Sequence, residues 1–333
     1  MTIAAGVVQG ILLTFALMVI LMPPFIALLR RLGFGKRIRA EGPASHYTKE
    51  GTPTMGGVLM IAVVSAATLL FEFVNGNFWG PQTIAPILTL LFIGGLGAFD
   101  DYLNATTGEG IRIRQKLLWQ VAASLFIAYQ VQTTYAIRSL TVPFVGDVPI
   151  EPWAWILFAA FTIVATSNGV NFTDGLDGLA GGTLIFAFVA YTIIALLGGQ
   201  TSLAILCALI IGALLGFLWF NVHPAQVFMG DAGSLAMGAT LAVVSLITGQ
   251  ILLLPLIGII FVLQVGSDIL QIGYYKMTHK RIFKMAPLHH HFELSGWDEE
   301  KITMRFWIVG ALAALLGVTF YFSTLVAPVV GSP

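Results

Sequence analysis

The chain has 333 residues, of which 57% are hydrophobic and 10% are charged, and its formal net charge is zero. A soluble globular domain carries about 25% charged residues, so the composition excludes that class and indicates a polytopic membrane protein. The zero net charge predicts no partner by bulk electrostatics, nucleic acid included. The single cysteine, Cys207, lies in an apolar run, which excludes a disulfide framework.

Apolar runs dominate the chain from end to end. A membrane-spanning helix needs about 20 apolar residues. Ten runs come near this length and predict an all-α polytopic membrane protein with a single domain over residues 1–333. The predicted spans are 4–29, 54–74, 82–100, 115–133, 152–168, 179–198, 202–219, 234–249, 251–274 and 305–328.

The basic residues predict the orientation of these spans. Ten spans place both termini on the same side, and 15 of the 16 Lys and Arg residues then share one set of loops. Only Arg138 falls in the other set. Basic loops stay in the cytoplasm, so we expect both termini outside. In the longest outer loop, β-branched residues flank the turn of Ser139–Ile150, which predicts a small periplasmic β-hairpin.

The segment Asn171–Gly178 lies between two predicted spans and reads Asn-Phe-Thr-Asp-Gly-Leu-Asp-Gly. Its polar groups are too costly to face lipid, so it lies at a water boundary or in a protein-lined cavity. If the segment is helical, Asp174 and Asp177 share a face. Capping of the next helix explains part of the pattern, but four polar groups in ten residues exceed what one cap needs.

Two further inner segments carry charge. Lys49 precedes the glycines and Thr54 of Gly51–Gly57, a setting that suits a phosphate group, although a lysine facing lipid headgroups is the alternative. Asp100 and Asp101 end the third predicted span. Adjacent helical residues point about 100° apart, so both carboxylates reach one site only if the helix unwinds there. A solvated helix end is the alternative. Lys116 follows on the same side.

The fourth inner loop places Asp231 between glycines, ahead of a helix predicted to start near Ser234. The free N–H groups of that helix start can bind an anion. Asp231 could hold Mg²⁺ against a diphosphate, or it could simply cap the helix. Phe228 could stack on a base, although an isolated aromatic residue more often packs in a core.

The last inner loop contains His289–His291 after Pro287, which favours an irregular turn. The three histidines cannot all point one way on a regular helix. They could contact a diphosphate or transfer a proton, or face lipid headgroups. The ligand spacing of a structural zinc site is absent. In the ninth predicted span, Asp268 and Gln271 share a face and are secondary candidates.

All these polar groups lie at span ends on one face. A transporter would place polar groups and broken helices near the midplane. The pattern therefore favours an enzyme that joins a soluble, charged substrate to a lipid substrate. Carboxylates together with lysines and histidines suggest Mg²⁺-assisted chemistry on a phosphate or diphosphate.

The motifs resemble the phospho-N-acetylmuramoyl-pentapeptide transferase family of the polyprenyl-phosphate N-acetylhexosamine-1-phosphate transferase superfamily. The matching segments, in family order, are Gly51–Gly57, Phe99–Tyr102, Asn171–Ala180, Pro224–Ser234 and Ala286–Glu293. The resemblance implies transfer of phospho-MurNAc-pentapeptide from UDP-MurNAc-pentapeptide to undecaprenyl phosphate, with Mg²⁺. The products are lipid I and UMP, in the first membrane step of peptidoglycan synthesis. It also implies a homodimer in the bacterial cytoplasmic membrane.

The resemblance also suggests roles for the candidate residues. Asp231 would bind Mg²⁺, and Asp100 would engage the lipid phosphate as base or orienting group, supported by Asp101. The residues expected to bind the substrate are Lys49, Thr54, Lys116, Asn171, Asp174, Asp177, Phe228 and Gln271. The residues expected to contact the diphosphate are His289, His290 and His291.

Several alternatives stay open at this point. Direct displacement is favoured, and a two-step route through a covalent aspartyl intermediate is its rival. A transporter of a nucleotide sugar or lipid-linked sugar and a structural scaffold for cell-wall enzymes are the non-homologous alternatives. A sister transferase that uses UDP-GlcNAc is the closer one.

Overall fold

The structure is a computed structural model that describes residues 3–35, 49–74 and 80–326. Most of the first inner loop and the last two residues of the tenth predicted span lie outside these ranges. The helices are α1 (Ile3–Arg31), α2 (Gly56–Val74), α3 (Pro81–Thr107), α4 (Ile113–Tyr135), α5 (Pro152–Thr173), α6 (Leu179–Leu197), α7 (Thr201–Asn221), α8 (Gly230–Ile247), α9 (Leu254–Ile257), α10 (Ile259–Thr278), α11 (Leu288–Glu293) and α12 (Glu299–Val326).

The all-α polytopic class is confirmed, with a smaller number of candidate spans than predicted. Within the described ranges, eight helices are long and apolar enough to cross a membrane, and a bent pair could supply a ninth. The predicted span 115–133 coincides with α4, which has the length but is too polar to pass the same test. Its polar residues include Lys116 and Gln120, which face protein partners rather than lipid.

The ninth predicted span is not one continuous helix. A short 3₁₀ turn (Ile251–Leu253) and α9 meet α10 at an angle of 79°. The break lies at Gly258, whose backbone leaves the helical region. Pro255 lies in the first turn of α9, three residues before the break, where its missing N–H group is tolerated.

The predicted hairpin is present. Strands β1 (Ser139–Val142) and β2 (Gly146–Pro149) pair antiparallel, with Ser139 opposite Pro149. The Thr141 hydroxyl donates to Asp147 Oδ1 across the strands at 2.7 Å. The side of the membrane on which the hairpin lies stays a prediction.

The core is built around α8. In the most apolar window of α8, 89% of the residues are buried, against 22% in α1. Helices α2, α3 and α5 pack directly on α8. The side chains of α8 are mostly small, which allows its neighbours to approach closely. Any polar group at the start of α8 is therefore surrounded by three other helices.

Two glycines set how closely α8 approaches α2 and α3. A Cβ atom at Gly97 of α3 would overlap the Asp231 backbone, and one at Gly57 of α2 would overlap Gly233. Hydrogen bonds join the same region, because Gly57 N–H donates to the Met229 carbonyl at 2.9 Å. The segments 51–57 and 224–234, which are remote in sequence, thus form one unit.

Candidate active site

Helix α3 does not unwind at its two aspartates. It continues to Thr107, so the expectation that Asp100 and Asp101 mark the helix end is wrong. Both side chains are buried and still reach one cluster. They do so because each has its own partner: Asp100 pairs with Lys116 of α4, and Asp101 bonds the start of α8.

Asp101 caps α8 from a neighbouring helix. Its carboxylate accepts the Asp231 N–H at 3.1 Å and the Ala232 N–H at 3.0 Å. Capping explains why α8 begins at Gly230, earlier than the start near Ser234 that we predicted. These two N–H groups are already bonded, so the expected anion site at the start of α8 is not open there.

Lys116 joins two of the predicted carboxylates. Its Nζ lies 2.9 Å from Asp100 Oδ2 and also contacts Asp231 Oδ2. The Ile111 N–H donates to the other oxygen of Asp100. Asn171 completes the group, since its amide donates to Asp231 Oδ1 and to the Ser234 hydroxyl, both at 2.8 Å.

We call Asp100, Asp101, Lys116, Asn171 and Asp231 the Lys116 cluster. Its members come from α3, α4, α5 and α8, and all five were candidates from the sequence. Three carboxylates and one ammonium group give the cluster a formal charge of −2. Such an excess of negative charge on largely buried groups favours the binding of a cation.

A second group lies around Lys49. Its Nζ bonds Asp177 Oδ1 at 2.7 Å and Glu299 Oε1 at 2.5 Å. Asp177 Oδ2 pairs with His223 Nδ1 at 2.9 Å and accepts the Ala225 N–H at 3.1 Å. The Asp177 N–H donates to Glu299. We call Lys49, Asp177, His223 and Glu299 the Lys49 cluster.

In the Lys49 cluster, the pKa values of Lys49 and Asp177 are shifted toward the charged forms. Burial alone would lower the pKa of Lys49, but Glu299 and Asp177 outweigh it and hold that pKa above its usual value. Burial alone would raise the pKa of Asp177, but the hydrogen bond and charge of Lys49 hold it below its usual value. The ion pair is therefore fully charged near neutral pH.

By spacing alone, Asp177, His223 and Glu299 could hold a metal ion, because one donor atom from each lies within 4.8 Å of the others. Lys49 already lies between the two carboxylates and supplies a cation. The Lys116 cluster, with its greater excess of negative charge, is the better fit to a divalent ion.

The central loop is not helical. α5 ends at Thr173, and Asp174 is its C-cap, so Asp174 and Asp177 do not share a helical face. Asp177 instead turns into the Lys49 cluster. Thr54 and Asp101 both point at Gly230, where a Cβ atom would meet their side chains. Phe228 is buried, with 9% of its surface exposed, next to segment 51–57.

The three histidines lie on the short helix α11, so the irregular turn that we predicted is wrong. Pro287 serves as its N-cap, a position that does not require an N–H group. The prediction that the side chains diverge is confirmed. His290 Nδ1 pairs with Glu293 at 2.6 Å, and His291 Nδ1 accepts the Lys284 N–H at 3.2 Å.

His289 points into the protein. Its Nδ1 lies 3.1 Å from Gln264 Oε1, and its Nε2 faces Gly175, where a Cβ atom would overlap the ring. The bond to a side-chain carbonyl favours a proton on Nδ1 and leaves Nε2 as an acceptor. His289 thus connects α11 and α10 to the central loop.

Gln271 has a structural contact in addition to its predicted role. Its Oε1 accepts the N–H groups of Ile282 and Phe283 at 3.0 Å each, and its Nε2 donates to the Phe283 carbonyl at 2.9 Å. The side chain fixes the backbone that leads to α11. A direct contact of Gln271 with substrate stays a prediction.

Three side chains of the site were missed in the sequence. Glu299 belongs to the acidic run at the start of α12, and His223 lies beside a segment that we had singled out. Both are ionisable residues in predicted inner loops, and this combination could have marked them as candidates. The sequence held no such indication for Gln264, because a single amide in an apolar helix does not reveal its partner.

Comparisons with known proteins identify the family of this chain. A family model described as glycosyl transferase family 4 matches residues 83–249, which include the whole Lys116 cluster. A motif described as phospho-N-acetylmuramoyl-pentapeptide-transferase signature 1 matches residues 49–61.

Relatives of that name match the chain along most of its length. The protein from Desulfotalea psychrophila is 42% identical over 324 residues, covering 91% of this chain and 89% of its own length. The protein from Listeria innocua is 44% identical and covers 91% of this chain and 94% of its own length. The protein from Geobacillus kaustophilus is 43% identical and covers 94% of this chain and 97% of its own length.

The chain belongs to the phospho-N-acetylmuramoyl-pentapeptide transferase family. This confirms the resemblance that the motifs predicted. The signature motif contains Lys49 and Thr54. Glu299 and His289–His291 lie outside the two matched ranges, 49–61 and 83–249.

Proposed function

We propose that the chain transfers phospho-MurNAc-pentapeptide from UDP-MurNAc-pentapeptide to undecaprenyl phosphate. A phosphate oxygen of the lipid attacks the phosphorus that carries the sugar, and the diphosphate P–O bond to the nucleotide breaks. UMP leaves, and lipid I remains in the membrane. Family membership and the Lys116 cluster support this reaction as an early step of peptidoglycan synthesis, with consequences for cell-wall growth, cell shape and division.

The bridge formed by Lys116 between Asp100 and Asp231 is the observation that carries the proposal. Both reactants are anions, so the main barrier is their mutual repulsion. A phosphate monoester loses its second proton near pH 6, so the acceptor needs little help from a base. Lys116 would neutralise charge, and Asp100 would orient the acceptor or accept its remaining proton.

The residues present fit the Mg²⁺ ion that the family implies. Asp231 would hold it, because the cluster contains three carboxylates but only one ammonium group. When bound, Mg²⁺ neutralises charge on the diphosphate. Asn171 keeps the Asp231 carboxylate in position, and Asp101 fixes the backbone at the start of α8.

The nucleotide part of the donor would occupy the region between the two clusters. Lys49 supplies a cation and Asp177 orients it, while Thr54 and Phe228 lie on the adjoining segments. Asp174 is the C-cap of α5, three residues before Asp177 in the chain. Phe228 would contact the base through its exposed edge, and His289–His291 would contact the diphosphate, positioned by Gln264 and Gln271.

The lipid tail would occupy an apolar cavity of about 390 Å³ beside the broken ninth span. Its walls come from α5, α9 and α10 and include Phe158, Phe161 and Pro255. Gly169 also lines it, two residues before Asn171 on α5, or about 3 Å along the helix axis. Along the helix axis the cavity therefore reaches the level of Asn171, a member of the Lys116 cluster.

We further propose a single domain over residues 1–333 that forms a homodimer. The site would lie at the cytoplasmic face of the bacterial cytoplasmic membrane, as the basic loops favour. That location gives access to a soluble nucleotide donor and to a lipid acceptor in the same leaflet.

The test is release of UMP from UDP-MurNAc-pentapeptide in detergent, with and without undecaprenyl phosphate, and with Mg²⁺ or a chelator. We expect release only when lipid and Mg²⁺ are both present. Release with Mg²⁺ but without lipid would instead support the covalent aspartyl route.

Assays with a second donor, UDP-GlcNAc, separate the remaining alternatives. Release of UMP from UDP-GlcNAc but not from UDP-MurNAc-pentapeptide would indicate the sister transferase. If neither donor is consumed, flux of intact donor in vesicles would indicate a transporter. Normal growth of cells with an inactive Asp100→Ala, Asp231→Ala double variant would indicate a scaffold.

A further inference from the structure

A large pocket lies between α3 and α4, outside both clusters. Its volume is about 790 Å³, roughly twice that of the α5–α10 cavity. Leu91, Phe92 and Phe99 of α3 and Trp119 of α4 form its apolar wall. Neither the proposed donor site nor the proposed lipid-tail cavity uses this space.

The pocket is apolar at one end and polar at the other. From Leu91 to Phe99 the wall follows α3 for about 12 Å, close to the roughly 15 Å depth of one leaflet of the hydrocarbon core. The polar end is formed by Glu109 and Arg112 of the loop that joins α3 to α4, and by Gln115 in the first turn of α4. This order suits an amphiphile whose headgroup lies at the predicted cytoplasmic surface.

Two opposite charges stand at the polar end. Glu109 and Arg112 both line the pocket and both are exposed. Within the described ranges of the chain, no ion pair joins these two side chains. Each charge is therefore available to a ligand. A headgroup that carries a phosphate and an ammonium group would match them, phosphate to Arg112 and ammonium to Glu109.

We propose that this pocket binds a bilayer phospholipid with a zwitterionic headgroup and a primary amine, as in phosphatidylethanolamine. Its phosphate lies at Arg112, its ammonium group donates to Glu109, and an acyl chain lies along Phe92 and Trp119. A lipid with only a phosphate charge leaves Glu109 unpaired beside an anion. A quaternary amine, as in phosphatidylcholine, cannot donate a hydrogen bond to Glu109.

The bound lipid would also brace the site. The same loop covers Asp100, because Ile111 N–H donates to its carboxylate and Gly110 abuts it. A lipid seated against this loop limits its movement and thereby holds Asp100 toward Lys116. This consequence rests on the proposed function, whereas the lipid site itself does not.

Trp119 provides a built-in probe of occupancy. The protein is placed in phosphatidylcholine nanodiscs that contain an equal minor fraction of acyl-brominated phosphatidylethanolamine, phosphatidylcholine or phosphatidylglycerol. Bromine quenches nearby indoles, and subtraction of the Trp119→Phe variant isolates the signal of Trp119. We expect phosphatidylethanolamine to be preferred about two- to fivefold, the range for an exposed ion pair.

Charge variants sharpen the test. Glu109→Gln should reverse the preference toward phosphatidylglycerol, because only the positive charge remains at the polar end. Arg112→Gln should lower occupancy by both phosphatidylethanolamine and phosphatidylglycerol. Arg114→Gln is the matched control, because Arg114 lies in the first turn of α4 but does not line the pocket. The lipid preference of this variant should equal that of the native chain.

Four outcomes would overturn the proposal. Three come from the quenching preferences: equal quenching by all three lipids, a native preference for phosphatidylglycerol, and a native preference that survives both Glu109→Gln and Arg112→Gln. The fourth comes from competition with the acceptor lipid. Addition of one unlabelled undecaprenyl phosphate per protein distinguishes the two lipid sources. If that amount abolishes quenching, the occupant is the acceptor and the assignment to a bilayer phospholipid is wrong. Because the assay reads binding, its result is independent of UMP release.

Discussion

The Lys116 and Lys49 clusters have the same central element, a largely buried lysine that bridges two carboxylates from different helices or loops. They differ in what surrounds it. The Lys116 cluster is built on four long helices, whereas Lys49, Asp177 and His223 lie in connecting segments and Glu299 begins α12.

The charge balance also differs. The Lys116 cluster has three carboxylates for one ammonium group. In the Lys49 cluster, two carboxylates share Lys49, His223 and backbone N–H groups. One cluster therefore keeps an excess of negative charge on a rigid frame. The other is close to internally satisfied and ties connecting segments together. We infer that the first is built for chemistry and the second for substrate binding.

The largest expected effect comes from removing a charge of the Lys116 cluster. Asp231→Asn should lower the rate of UMP release about 10³-fold, the cost of losing one group that stabilises charge in the transition state. Asp147→Asn in the outer hairpin is the control and should leave the rate unchanged. A rate within tenfold of the native chain for Asp231→Asn would contradict the assignment.

Lys116→Met should have the next largest effect, about 10²-fold on kcat, because the carboxylates then repel one another and the substrates. The Mg²⁺ concentration for half-maximal rate should fall, since the competing cation is gone. A titration of rate against Mg²⁺ measures both effects. Lys276→Met, an exposed lysine outside both clusters, should match the native curve. A weaker apparent affinity for Mg²⁺ in Lys116→Met would count against metal binding at Asp231.

The Lys49 cluster should instead respond mainly in stability and substrate affinity. Glu299→Gln weakens a charge-assisted bond between buried groups and should cost about 1.5–3 kcal/mol of unfolding free energy. The KM for the donor should change more than kcat. Thermal unfolding and donor titration measure the two effects.

Glu300→Gln is the neighbour control for that variant, because its side chain is mostly exposed, and it should stay within about 0.5 kcal/mol. A double-mutant cycle with Lys49→Met should give a clear coupling energy. Additive effects would show that Glu299 does not act through Lys49.

The smallest effect is the pH dependence of the Lys49–Asp177 pair. The lowered pKa of Asp177 adds stability above its ordinary value of 3.8, which is lost as pH falls through the folded-state pKa. The raised pKa of Lys49 adds stability below 10.5, which is lost as pH rises through its folded-state pKa. The stability difference between the native chain and Lys49→Met should stay level from about pH 5 to about pH 10.

Thermal unfolding of both proteins across that range measures the difference. Matched buffers are the control, because both chains share every other titrating group. A difference that disappears near neutral pH would mean that the Lys49–Asp177 ion pair is not what the substitution removes.

Much of the site was predictable because polar residues are costly inside a membrane. Asp100, Asp101, Lys116, Asn171 and Asp231 stood out against apolar flanks, and the structure brings all five together. The errors arose where a distant partner overrides a local pattern. Asp101 was taken to end a helix, although it caps another one, and α11 is helical despite its three histidines and Pro287.

The sequence by itself determined the class of the protein, the approximate position of its helices, its hairpin and its family. These features depend on local hydrophobicity, short motifs and turn residues, all of which can be read along the chain. Only the tertiary structure decided which lysine pairs with which carboxylate, that Glu299 and Gln264 belong to the site, and that the ninth span is bent. Several of these pairings join segments more than 100 residues apart, as between Lys49 and Glu299, and no local pattern encodes them.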